Sequence, residues 1–289
     1  MKGELVRRIL VGLLGVPILA IVIYFGEWVL GMAMSLAAIL AAQEYFSLRK
    51  NDAQGLKLPG VILAGLLPLV AVQHPTYQEF AGIAFGLVLF GSIVFLILVM
   101  WSQWPQGTPI ESAAVAIMGV LYTGGTLSFW NLLRALPEEM LNSSDPLSGT
   151  LLLIFPIWTT WIGDCLAYLV GSRWGRKKLI VEVSPNKTIV GSLGGLAGSV
   201  IGGIGYNHYL LREMTEIHFP LEMILVFSCL VALIGQLGDL SESVMKRQAG
   251  IKDSSGLIPG HGGVLDRLDG LFFTIPMTYF IFLLYIQYG

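Results

Sequence analysis

The sequence predicts an all-α fold: a polytopic bundle of about nine transmembrane helices with its N-terminus in the cytoplasm. Three observations carry this expectation. Hydrophobic residues fill 55% of the 289 positions and charged residues only 12%, against roughly 25% charge in a typical soluble domain. The apolar residues come in long continuous runs rather than in alternation. Once those runs are threaded through a bilayer, Lys and Arg fall almost entirely on one side of it.

A spanning helix needs about 20 mostly apolar residues. Nine runs qualify or come close: Ile9–Tyr24, Trp28–Ala42, Leu58–Val72, Phe80–Trp101, Ala113–Leu133, Leu151–Val170, Ile189–Tyr206, Leu221–Leu240 and Leu271–Ile286. Only helices and closed barrels satisfy every backbone group in lipid, and continuous apolarity selects helices. The charged stretch Met1–Arg8 before the first run resembles the start of a secretory signal. No small-residue cleavage site follows Tyr24, so the run is expected to be a retained span. The two cysteines, Cys165 and Cys229, lie within apolar runs. Two are too few for a disulfide framework, and both are expected to be small buried side chains.

Nine crossings from a cytoplasmic N-terminus put Lys2, Arg7, Arg8, Arg49, Lys50, Lys57, Arg173, Arg176, Lys177, Lys178, Lys187, Lys246, Arg247, Lys252 and Arg267 on the cytoplasmic side. Of the 17 basic residues, only Arg134 and Arg212 fall opposite. A wrong number of spans scrambles such an asymmetry. The C-terminus is then expected outside. Trp28, Trp101 and Trp104 near span ends read as interfacial belts.

The first five runs carry almost no polar chemistry in their middles. The second half differs. In Gly238–Gly270, Asp239, Glu242, Ser243 and Lys246 stand at i, i+3, i+4 and i+7, on one helical face. An acid near the membrane end of a helix is costly and usually functional, although a helix emerging into water also carries charge. A glycine- and proline-rich loop follows, ending in His261-Gly262-Gly263. Such loops permit close backbone approach and can cradle phosphate oxygens, and they also serve as plain connections. Asp266, Arg267 and Asp269 come next. Two carboxylates beside an arginine suit hard cations and phosphates. His261 has no second His or Cys nearby, which argues against zinc; a hydrogen-bonding or phosphate-contact role is favoured over a purely structural one.

An upstream block runs from Asp164 to Gly195. Asp164, Tyr168 and Gly171 share a helical face, and a carboxylate at that depth must pair or bind a cation. Arg173, Arg176, Lys177 and Lys178 form a basic cluster suited to anionic headgroups. Ser184-Pro185-Asn186-Lys187-Thr188 sets hydroxyls and a lysine just before the seventh run, which suits a phosphate or a simple helix cap. Glycines at four-residue spacing in the seventh run (Gly191 and Gly195; Gly194, Gly198 and Gly202) predict close helix packing.

The stretch Ser243, Lys246-Arg247, Lys252-Asp253, His261-Gly262-Gly263 and Asp266-Arg267-Leu268-Asp269 resembles the signature of phosphatidate cytidylyltransferases, or CDP-diacylglycerol synthases. Every fixed position is filled across 27 residues. Asp164, Ala167-Tyr168, Gly171, Gly175-Arg176, Ser184-Pro185, Lys187 and Thr188 resemble the family's upstream block. Val190 stands where the family usually has a glutamate, and Cys165 where it often has a hydroxyl residue. No acidic role is therefore assigned to that loop.

The resemblance implies transfer of a cytidylyl group from CTP to phosphatidic acid. Residues 1–140 would be scaffold spans able to carry contacts in a homodimer, and 141–289 the catalytic region with its cytoplasmic loops. Asp239, Ser243, Lys246, Asp266, Arg267 and Asp269 would be catalytic, with Mg²⁺ on Asp239, Asp266 and Asp269 and a second cation such as K⁺ accommodated. Asp164, Tyr168, Arg176, Ser184, Lys187, Thr188, Arg247, Lys252, Asp253, His261, Gly262 and Gly263 would contact substrate. The expected partners are CTP, phosphatidic acid and membrane lipids, not nucleic acid. The expected place is the bacterial inner membrane, with the site facing the cytoplasm. Two other readings stay open at this point: a CTP-using enzyme with another lipid acceptor such as an isoprenoid phosphate, and a transporter. Inverted repeats would favour the transporter, and none is visible in the sequence.

Overall fold

The computed structural model describes residues 2–48, 54–105, 107–141, 145–258, 260 and 262–288. Every apolar run becomes helix. In chain order these are α1 (Lys2–Phe25), α2 (Glu27–Ser47), α3 (Gln54–Gln73), α4 (Tyr77–Gln103), α5 (Pro109–Val120), α6 (Thr126–Leu141) and α7 (Pro146–Trp174). A hairpin of β1 (Lys178–Ile180) and β2 (Ser184–Thr188) follows, then α8 (Ile189–Tyr206), the single turn α9 (Arg212–Met214), α10 (Leu221–Gln248), the single turn α11 (Leu265–Leu268) and α12 (Leu271–Tyr288). A π-helical turn, Leu121–Gly125, joins α5 to α6, and another, Asn207–Leu211, joins α8 to α9.

Among the described residues, eight helical segments are long and apolar enough to cross a membrane, and α1 adds a shorter apolar stretch, Gly15–Phe25. The chain is an integral membrane protein with an all-α transmembrane bundle. The side chains of α4 explain why water cannot be its solvent: Phe85 is 70% exposed and Phe90 67%, a continuous apolar surface that only lipid would cover. Caps fix several starts. Thr76 accepts from Glu79 N at 3.4 Å at the head of α4, and Asp145 from Leu147 N at 3.1 Å at the head of α7.

The chain forms two compact units. The first comprises residues 1–132 and 249–268. Its centre is the packing of α2 on α3, in which Ala38, Ala41 and Ala42 of α2 and Ala64 and Ala71 of α3 are all fully buried. Small side chains let the backbones approach, and Ser35 Oγ donates across to Gly65 O at 2.7 Å.

The second unit comprises residues 133–248 and 269–289. Here α8 packs along α7, and α10 and α12 close the bundle. Glycine is required at the closest approach: a Cβ on Gly191 would lie 2.9 Å from Ala167 O and 3.1 Å from Gly171 Cα. Away from this seam the core is aromatic. Phe227 stacks on Phe155 with ring centroids 4.8 Å apart and on Phe282 at 4.7 Å.

Two expectations need correction. Cys165 is an exposed free thiol on α7 and Cys229 is half-buried, because in a membrane protein an apolar run faces lipid as readily as protein. The stretch between α7 and α8, a cytoplasmic loop in the all-α reading, holds a short antiparallel hairpin with Lys178 opposite Thr188 and Ile180 opposite Ser184.

Candidate active site

In the second unit the hairpin returns the chain to the head of α8. Thr188 is buried there, and its Oγ1 accepts from Gly191 N at 3.1 Å, so this hydroxyl caps the helix. The residue before it, Lys187, is carried toward α10, where its ammonium pairs with the carboxylate of Asp239. A cavity of about 560 Å³ opens beside this pair. Asp164, Tyr168 and Gly171 line one wall from α7, Asn186, Lys187 and Thr188 another from the hairpin, and Gln236 and Asp239 a third from α10. The shared face expected for Asp164, Tyr168 and Gly171 is thus the wall of a cavity.

The charges in this unit act on one another. Asp164 lies within electrostatic reach of Asp239 and Lys187, and Asp269 within reach of Asp239, Asp164 and Lys187. Asp269 Oδ1 also accepts from Gly270 N at 2.7 Å, just before α12. Three acids around one lysine leave excess negative charge, an arrangement that favours a divalent cation. Among the described residues no three His, Cys, Asp or Glu side chains already enclose a metal point. Mg²⁺ often takes only one or two protein carboxylates and completes its shell with water and substrate phosphates, so the donor set fits it.

The predicted face of α10 also forms. Ser243 Oγ lies 3.5 Å from Asp239 Oδ1. Lys246 pairs with the buried Glu242 at 2.8 Å, so this lysine's charge is shared with an acid the sequence reading left uncommitted. Arg247 Nε donates to Val183 O at 3.3 Å and ties α10 to the hairpin. Ser184 is half-buried in β2, and Arg176 is exposed ahead of the hairpin.

In the first unit a second cluster forms. Asp266 Oδ2 accepts from Ser254 N and Gly263 N, each at 2.8 Å. Gly262 has φ +80°, and a Cβ there would sit 2.5 Å from Asp266 Oδ2. A Cβ on Gly263 would run into Glu44 Oε2 and Ser254 Oγ. Both glycines are thus needed by the carboxylates packed against them. Lys252 and Asp253 are exposed on this loop and Arg267 on α11 just after it, and His261 lies outside the described residues.

Sequence reasoning missed two residues. Gln236 bridges to α8, paired with Ser192 Oγ and donating to Ser192 O at 3.2 Å; its signal was a lone amide inside an apolar run. Glu44 is buried at the end of α2. Ending the second run at Ala42 put this acid in water by assumption.

The sequence model of the Cytidylyltransferase family matches residues 6–285. The chain is 31% identical to a phosphatidate cytidylyltransferase of Synechocystis sp., over 96% of each chain. It is 29% identical to one of Staphylococcus epidermidis, over 96% of this chain and 97% of the relative. It is 27% identical to one of Bacillus subtilis, over 98% and 99%. A match across nearly the whole length, by a sequence whose second half gathers acids and a lysine around one cavity, places this chain in the cytidylyltransferase family.

Proposed function

We propose that this enzyme transfers the cytidylyl group of CTP to phosphatidic acid, giving CDP-diacylglycerol and pyrophosphate. The observation that carries the reading is the Lys187–Asp239 pair at the wall of a cavity shared with Asp164. A phosphomonoester oxygen of the lipid attacks the α-phosphorus, a new P–O bond forms, and the P–O bond to pyrophosphate breaks. The nucleophile is already anionic near neutral pH, so the difficulty is the meeting of two polyanions and the charge on the leaving group. Positioning and fixed cationic groups address both.

Lys187 is assigned to a phosphate, exchanging Asp239 for it when substrate enters. Asp239 and Asp269 are assigned to Mg²⁺, which would neutralise phosphate charge and orient the leaving group. Asp266 is assigned to a cation carried on the substrate phosphates. Ser184 and Ser243 are assigned as hydrogen-bond donors to phosphate, and Lys246 and Arg267 as further positive charge. Tyr168 and Arg176, exposed on α7 and just beyond it, are assigned to the lipid substrate. The bacterial relatives and the basic-residue asymmetry support an inner-membrane location with the site on the cytoplasmic side.

The test is the purified protein in detergent or nanodiscs with radiolabelled CTP and phosphatidic acid. Formation of CDP-diacylglycerol with pyrophosphate release is expected, with CTP strongly preferred over ATP, GTP and UTP. Labelling of an isoprenoid phosphate in place of phosphatidic acid would overturn the acceptor assignment.

A further inference from the structure

We propose that Glu44, on α2 of the N-terminal spans, is a positioning residue for the reaction, acting by holding the loop that carries Asp266 and Arg267. The proposal rests on the function proposed above. A carboxylate on an apolar membrane helix is costly unless donors satisfy it. Glu44 is 6% exposed, and its donors come from one place. Oε1 accepts from Ser255 Oγ at 2.6 Å and Val264 N at 3.0 Å. Oε2 accepts from Leu265 N at 2.9 Å and lies 2.9 Å from Ser254 Oγ. Ser254 Oγ is also 2.8 Å from Asp266 Oδ2, so its single proton serves the two carboxylates in turn.

The result is a closed network. Glu44 holds Ser254 and Ser255 at one end of the loop and Val264 and Leu265 at the other, and Asp266 holds Ser254 and Gly263. Four donors facing one side chain call for an acceptor at both oxygens, which a carboxylate supplies and a carboxamide does not. Gly263 leaves room for Glu44, since any Cβ there would overlap Oε2. The loop's shape, and with it the direction of Asp266 and Arg267, is therefore set by a residue far away in sequence. This gives the first half of the chain a part in the chemistry beyond scaffolding.

The experiment compares the full-length wild type with Glu44→Gln and Ser255→Ala in the same detergent. Steady-state kinetics are read beside backbone hydrogen exchange across the loop. In Glu44→Gln, kcat should fall by about 10- to 100-fold, the order of loss that small misplacement of reacting groups produces. KM for CTP should stay within about threefold, because placement rather than affinity is disturbed. Exchange at Gly263, Val264 and Leu265 should accelerate, while exchange in the spanning helices does not. Ser255→Ala removes one donor from a half-buried loop position and should give a smaller change of the same pattern. Glu44→Asp, which keeps two oxygens, should recover part of kcat.

Faster loop exchange with unchanged kcat would overturn the proposal, as would a rise in KM alone. If Glu44→Gln fails to fold, Ser255→Ala decides: unchanged kcat with that donor removed overturns it. If wild type makes no CDP-diacylglycerol, the proposed function fails by itself. The exchange data then still decide whether Glu44 orders the loop, and slow, unaltered exchange in Glu44→Gln would overturn that too.

Discussion

The ammonium of Lys187, at the end of the hairpin, is paired with the carboxylate of Asp239 on α10. The two sit in separate sequence blocks, and the pair joins those blocks at one cavity. The side chains are 28% and 37% exposed while the ammonium nitrogen itself is shielded, so the pair lies at the edge of the cavity rather than in open water. Its value is the charge it keeps ready at the cavity.

Replacing Lys187 with Met should therefore cost activity much more than folding. We expect turnover to fall by about 10²- to 10³-fold, the scale for losing one electrostatic contact to the reacting phosphates. The detergent melting temperature should move only slightly. Lys187→Arg should retain measurable activity. A Lys187→Met enzyme with near-wild-type turnover would remove this residue from the mechanism.

The seam between α7 and α8 tests packing. At Gly191 an added Cβ meets main-chain atoms of Ala167 and Gly171 as well as the Thr188 hydroxyl that caps α8. Gly191→Ala should cost about 1–3 kcal/mol of stability, as overpacking usually does, and Gly191→Leu more. A lowered melting temperature for both variants, graded by size, is the expected result. An unchanged value for Gly191→Leu would mean the helices part there without cost.

Much of this architecture was legible from the order of residues. Apolar runs mark spans because lipid forbids open backbone, and i, i+4 spacing correctly put Asp164 with Tyr168 and Asp239 with Ser243 on common faces. What periodicity could not supply was partners. Glu242 read as an acid at a helix end, yet it is buried against Lys246. Thr188 read as either a phosphate contact or a helix cap, and the fold shows its oxygen capping α8. Glu44 was out of reach because its donors lie more than 200 positions further along the chain, a closure only the fold reveals. Cys165 shows the converse limit: apolar neighbours do not say whether lipid or protein surrounds a side chain.

Orientation can be read with thiol probes. In a Cys165→Ala, Cys229→Ala background, single cysteines at Lys178 and Lys252 should react only with reagent reaching the cytoplasmic side. One at Glu216, between α9 and α10, should react from the opposite side. The positive-inside count predicts this pattern. Labelling of Lys178→Cys and Glu216→Cys from the same side would overturn the threading of α8 through the bilayer.

Asp266 separates shape from charge. Its Oδ2 accepts from Ser254 and Gly263, while its negative charge is assigned to a substrate-borne cation. In Asp266→Asn the amide oxygen can take the place of Oδ2 and keep those loop contacts, with the amide nitrogen replacing Oδ1. The loop should then hold its shape while the negative charge is lost. Turnover should fall by about 10²-fold or more, with loop hydrogen exchange and melting temperature near wild type. Asp266→Ala loses both, so turnover should fall as far and loop exchange should also accelerate. The contrast with Glu44→Gln is informative, since that change disturbs the loop and leaves the charge of Asp266 in place. Near-wild-type activity of Asp266→Asn in Mg²⁺ would sink the cation assignment and leave Asp266 as a loop organiser. Accelerated exchange in Asp266→Asn matching that of Asp266→Ala would show instead that the loop depends on the full carboxylate, because a neutral oxygen accepts more weakly from the same two amides.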